Sequence, residues 1–270
     1  MKFKLACFFS LFALSSSAFA IPTMQIDISG GTYFTGTDTD GAAKESVITD
    51  ADSFDLYLYA NPDGKVTGPK GITNDDIFGL NGSTTAFYLS VALTPKTDVA
   101  GDYGFFLING QTINVTADMT LGTPPIDGLL KDVAPHDIYD TFYSEIAVSF
   151  DSINESCDYN VQDNAGIGPQ DLLGCTSTML YDTFSIDKSN LNSEFQLHFD
   201  FYAVDVDPLT KTSQSLIDFA PWSHDAQTVS CITDCGGGPG TGTPVPAPGT
   251  IALLGLGLLG LSMRSRRKNA

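Results

Sequence analysis

From Phe195 to Ala203 every second residue is apolar. Phe195, Leu197, Phe199, Phe201 and Ala203 alternate with Gln196, His198, Asp200 and Tyr202. A period of two puts one set of side chains on each face of an extended chain, and no helix tolerates it. The pattern predicts a strand with one buried and one wet face, and it puts His198 on the wet face as a surface side chain.

The same period recurs along the chain. Phe54, Leu56 and Leu58 share a face in Ser53-Phe54-Asp55-Leu56-Tyr57-Leu58-Tyr59, and Phe87, Leu89, Val91 and Leu93 share another, as do Ile146, Val148 and Phe150. Shorter strands are expected at Met24 to Ile28, Phe105 to Ile108 and Ile113 to Val115. Asn109-Gly110 between the last two is the residue pair a tight hairpin turn requires, because both positions take positive φ. Turn clusters such as Asn61-Pro62-Asp63-Gly64 interrupt the chain often, and no window carries a convincing helical stripe. The fold class is therefore read as all-β: a single antiparallel β-sandwich, jelly-roll-like or Ig-like.

The two ends are built differently. Lys2 and Lys4 precede an apolar stretch from Leu5 to Leu14, and a small polar run closes on Ala18-Phe19-Ala20. That order reads as a signal peptide over 1–20, cleaved after Ala20, with Cys7 discarded inside it. At the other end, Val245-Pro246-Ala247-Pro248-Gly249-Thr250 leads into the apolar stretch Ile251 to Met263, 13 residues long, and then Arg264, Arg266, Arg267 and Lys268. Thirteen residues fall short of the ~20 a helix needs to cross the hydrocarbon core unaided. The basic cluster resists translocation, which keeps it cytoplasmic and leaves the bulk of the chain outside.

A Pro-x-Pro step, a short Gly- and Leu-rich stretch and a terminal Arg/Lys cluster together resemble the PEP-CTERM sorting signal. Val245, Pro246, Ala247, Pro248 and Gly249 take the motif positions, with Ala247 where the family's name puts an acidic residue. The resemblance implies recognition by an exosortase, a membrane-embedded cysteine protease, after delivery by the Sec machinery and signal peptidase. It also implies transient anchoring in the inner membrane, followed by release to the outer surface or beyond. Between body and tail, residues 236–244 are a Gly-, Pro- and Thr-rich run that cannot pack a core and serves as a tether. The chain thus divides into 1–20, an exported domain at 21–235, the tether, and the sorting signal at 245–270.

The exported part carries all 32 acidic residues and 7 basic ones, a net charge near −25. A field of that sign argues against nucleic acid and anionic lipid as partners and favours solubility and association with cations. Cys157, Cys175, Cys231 and Cys235 remain after the signal peptide, an even number in an oxidising compartment. Two disulfides are expected, Cys157 with Cys175 and Cys231 with Cys235, each closing a short loop; four cysteines allow three pairings.

The segments Ile21-Pro22-Thr23-Met24-Gln25-Ile26, Ser53 to Leu58, Phe87 to Leu93, Gly122-Thr123-Pro124-Pro125 and Pro135-His136-Asp137-Ile138-Tyr139 resemble the choice-of-anchor N proteins. These are exported bacterial bodies paired with alternative surface anchors, and the resemblance implies no catalytic residues.

Chemistry-bearing residues are few. His136 lies in a loop, and Ser223-His224-Asp225 names three triad residue types whose adjacency in sequence prevents them from converging as a triad. Asp38-Thr39-Asp40-Gly41, Asn74-Asp75-Asp76 and Asp205-Val206-Asp207 place oxygen ligands in turns and make Asp38, Asp40, Asp205 and Asp207 weak calcium candidates, although Val47 stands where an EF-hand needs its Glu. Trp222, the one tryptophan, either closes the core or stacks on a sugar ring. Three functions follow in order: a non-enzymatic, exosortase-sorted surface or matrix protein with no cofactor; an exopolysaccharide-binding module; and a secreted glycosidase or other hydrolase.

Overall fold

The computed structural model describes residues 23–37, 43–64, 78, 85–124, 138–150, 154–205, 216–219 and 225–230. Fourteen strands and one four-residue helix lie among them. The strands are β1 (Met24–Ile28), β2 (Thr32–Thr37), β3 (Ala43–Thr49), β4 (Ser53–Ala60), β5 (Thr85–Thr94), β6 (Phe105–Ile108) and β7 (Gln111–Asn114). They continue with β8 (Thr120–Gly122), β9 (Thr141–Val148), β10 (Glu155–Cys157), β11 (Thr178–Asp187), β12 (Gln196–Asp205), β13 (Leu216–Phe219) and β14 (Asp225–Thr228), and the helix α1 is Val161–Asn164.

The strands form two sheets. Six make the first, in the order β1-β4-β11-β6-β7 with β10 against β11; eight make the second, in the order β2-β3-β14-β12-β5-β9-β8 with β13 against β12. Their inner faces share one core: Met24, Ile26, Ile28, Leu56 and Leu58 from the first sheet meet Leu89, Val91, Leu197, Phe199 and Phe201 from the second. Phe54 and Phe199 join the sheets edge to face, ring centroids 6.0 Å apart. Each such side chain contributes about 1.5–3 kcal/mol by leaving water, which is what holds two otherwise half-wet sheets together.

All-β architecture is therefore as the alternation requires, and the Asn109-Gly110 hairpin is present, with φ of 52° and 78° at the two turn residues. Its second strand runs Gln111–Asn114, not Ile113 to Val115. The sheets are not wholly antiparallel, because β14 pairs parallel with β3. That strand fills the slot between β3 and β12 and runs antiparallel to β12. Its two neighbours run opposite ways, so it must be parallel to one of them.

His198 is not a surface residue; it is 0% exposed. The segment Ile138–Asp140 leads into β9 across the outer face of the second sheet, where Ile138 and Tyr143 pack on Ala92. β12 is thus buried on both faces. Alternation reported which side chains are polar, and that face turned inward beneath a second layer.

The expected Cys157–Cys175 disulfide is present, with Cα atoms 5.5 Å apart. The expected signal peptide, tether and tail, with Cys231, Cys235, Trp222, His136, His224, Asp38, Asp40 and Asp207, lie outside the described residues. Asp205 ends β12, opposite Thr85 of β5. Among the described residues no helix is long and apolar enough to cross a membrane.

Candidate functional site

Polar side chains form a row across the outer face of the eight-stranded sheet. Asp225 of β14 stands opposite Asp200 of β12. Asp200 stands opposite Ser90 of β5, and Ser90 opposite Glu145 of β9. Ser46 of β3 extends the row by donating to Asp225 Oδ2 at 2.7 Å. The register alone dictates this, since residues paired across strands share a face.

The row is closed from water. Asp200 is 1% exposed and Asp225 3%. Asp200 Oδ2 accepts a short hydrogen bond from the Tyr139 hydroxyl, and Oδ1 lies 3.2 Å from His198 Nε2. The Tyr139 hydroxyl also lies 3.3 Å from Ser90 Oγ. Two residues along β12, the Tyr202 hydroxyl donates a short bond to Glu145 Oε1. Burial, and then the neighbouring Asp200 carboxylate, push the Tyr139 phenol well above its ordinary pKa. Burial and then Glu145 do the same to Tyr202. Both phenols keep their protons and act as donors, as buried carboxylates require.

This arrangement is a chain of committed hydrogen bonds. Ser90 Oγ lies against the Tyr139 hydroxyl and His198 Nε2 against Asp200 Oδ1, an arrangement that differs from a nucleophile–base relay, in which the serine bonds to the imidazole. Asp225 Oδ1 has no hydrogen-bond partner among the described residues. No three His, Cys, Asp or Glu side chains among the described residues converge on a metal position.

A second polar cluster fastens the disulfide loop to the first sheet. Asp27 of β1 accepts from the Gly166 amide at 2.8 Å, the Gly168 amide at 3.4 Å and the Tyr159 hydroxyl at 3.2 Å. Gln25 accepts from Val161 N at 2.9 Å and donates to the Tyr159 carbonyl at 2.9 Å. Gly166 sits at φ +85°, and a Cβ there would strike the Gly31 backbone, so only glycine allows the loop to lie this close.

Two depressions open to solvent. One, of about 560 Å³, is lined by Ser29, Ser53, Asp55, Leu107, Gly110, Ser185 and Asp187. The other, of about 700 Å³, is lined by Lys96, Asp98, Leu121, Gly122 and Asp140.

The sequence reading singled out His198 and missed its partners. Asp200, Ser90, Glu145 and Tyr139 come from four separate segments, and only strand register assembles them. One signal was available: a ten-residue strand is long enough to sit in the middle of a sheet, where both faces are candidates for cover.

Comparison with known families matches residues 244–268 to the PEP-CTERM protein-sorting motif. No curated protein and no solved structure matched the chain. The motif spans Pro246-Ala247-Pro248, the apolar stretch and the basic cluster, and it marks the chain as an exported protein with a membrane-anchored sorting tail, processed by an exosortase.

Proposed function

We propose that the exported body is a non-enzymatic protein displayed on the cell surface or in the extracellular matrix, delivered by Sec export, trimmed by signal peptidase and released or re-anchored after exosortase processing. One observation carries the non-enzymatic reading. Among the described residues, the side chains with the greatest chemical potential, His198, Asp200, Ser90, Tyr139, Tyr202 and Glu145, are engaged in hydrogen bonds with one another, and His198, Ser90 and Asp200 are at most 1% exposed. A catalytic group must reach substrate; these groups hold strands and their covering layer in register.

Two experiments test it. The exported protein is incubated with a panel of polysaccharides and esters, and no turnover is expected. Turnover abolished by Asp200→Asn or Glu145→Gln would establish a hydrolase, since these two carboxylates stand two strands apart, about 10 Å at the backbone. In cells, the mature mass is compared with and without the sorting protease. Loss of Arg264 to Lys268 only in its presence is expected, and retention in both overturns the processing step.

A further inference from the structure

We propose that the groove at the end of the six-stranded sheet binds an extended polyhydroxyl ligand, a neutral or amino polysaccharide strand. The groove lies on the outer face, apart from the closed row on the other sheet. Its floor is two neighbouring strands in fixed register, with Asp55 of β4 opposite Ser185 of β11 and Ser53 opposite Asp187. One wall is Ser29 in the β1–β2 turn and the other is Leu107 and Gly110 of the β6–β7 hairpin.

Both walls are pinned before any ligand arrives. Ser29 N donates to the Asp55 carbonyl at 2.8 Å, and Asn109 N to the Ser185 carbonyl at 2.8 Å. The Asn109 side chain takes the Ser185 amide in return, also at 2.8 Å. This blocks a backbone donor that an added strand would use, so the surface is not an open sheet edge. A preset groove orders little on binding, which favours weakly held, flexible ligands such as sugars.

Its chemistry alternates acceptors and hydroxyls. Asp55 Oδ1 accepts from Ser185 Oγ at 2.8 Å, and this carboxylate and Asp187 face the groove with Ser29 and Ser53 beside them. No lysine or arginine is among the described residues that line it. Carboxylates accept from sugar hydroxyls or amines, serine hydroxyls complete the exchange, and the negative charge rejects polyanions. The volume of about 560 Å³ is within the ordinary range for small-ligand sites, and its openness suits a chain that continues beyond it.

The test is electrophoresis of the protein, purified as the cell exports it, through gels containing dextran, chitosan or alginate, one per gel. Dextran or chitosan is expected to retard the protein and alginate is not. Asp55→Ala combined with Asp187→Ala, and separately Ser185→Trp, which plugs the groove from a solvent-exposed position, are each expected to weaken retardation about tenfold or more with the melting temperature unchanged. A variant that melts early is replaced by Asp55→Asn with Asp187→Asn, which keeps the shape. The proposal is overturned by retardation in none of the gels, in alginate alone, or to the same extent in the folded groove variants.

Discussion

Asp27 and Gly166 are 139 residues apart in sequence, yet the Asp27 carboxylate accepts the Gly166 amide at 2.8 Å. The bond fastens the segment around α1 over β1, whose five residues are all buried. An edge strand with an open row of amides invites pairing with other chains, and this cover removes that liability.

Losing the carboxylate should cost more than one bond. Asp27→Ala strands the Gly166 and Gly168 amides beside a buried strand and leaves the Tyr159 hydroxyl only its bond to the Tyr59 hydroxyl at 2.7 Å, and a loss of about 3 kcal/mol is expected in urea melts. Burial raises the Asp27 pKa above its ordinary value, against the four hydrogen bonds that lower it. A raised carboxyl pKa means the folded state binds the proton more tightly than the unfolded one. This contribution to stability is full below about pH 3.8 and is lost as pH rises through the folded value. Asp27→Asn should flatten that part of the stability–pH profile, and an unchanged slope would contradict it.

The Cys157–Cys175 bridge closes the same loop from its other end, across a separation of 18 residues. A loop of that length yields about 3 kcal/mol when cross-linked. Cys157→Ser with Cys175→Ser should lower stability by about 2–3 kcal/mol, and hydrogen exchange should show where. The amides of Gly166 and Gly168, held by Asp27, should stay protected, while Cys175 N, bonded to the Leu172 carbonyl at 3.3 Å, should exchange quickly.

The row on the second sheet should behave as a coupled unit. Tyr139→Phe removes the donor to Asp200, and Asp200→Ala removes the acceptor for Tyr139 and the partner of His198. Each should cost about 2–4 kcal/mol. The double variant should cost clearly less than the sum, because the second change removes a partner already orphaned. Additive losses in a double-mutant cycle would show that the row is a set of independent contacts.

How much of this was legible in the sequence divides along physical lines. Strands whose one face is core announce themselves, as Phe54, Leu56 and Leu58 or Leu197, Phe199 and Phe201 do, because burial and the period of two select the same residues. β2, β3 and β14 carry no such pattern: Thr32-Tyr33-Phe34-Thr35-Gly36-Thr37 is half polar and sits at a sheet edge. The polar row was illegible for a different reason. Asp200, Ser90 and Glu145 become neighbours only through register, and register is set by long-range pairing that no local window records. The groove is hidden likewise, since Asp55 and Ser185 meet across 130 residues. The disulfide was readable because cysteine pairing depends on compartment and spacing, both of which the sequence carries.

The ten tyrosines give a test that spans the whole body. Burial, followed by a neighbouring carboxylate or phenol, raises Tyr33, Tyr59, Tyr139, Tyr159 and Tyr202 far above the ordinary value of 10.0. In the unfolded chain all of them ionise near pH 10, so the folded state binds more protons above that pH and loses stability steadily as pH rises. An alkaline absorbance titration should therefore show these five phenols ionising only in a late cooperative step that coincides with loss of β-sheet circular dichroism. Tyr139→Phe should remove one phenol from that step. If all ten titrate before the sheet signal changes, the phenols of the polar row and of the Asp27 cluster are open to water, and the closed packing described for both faces is wrong.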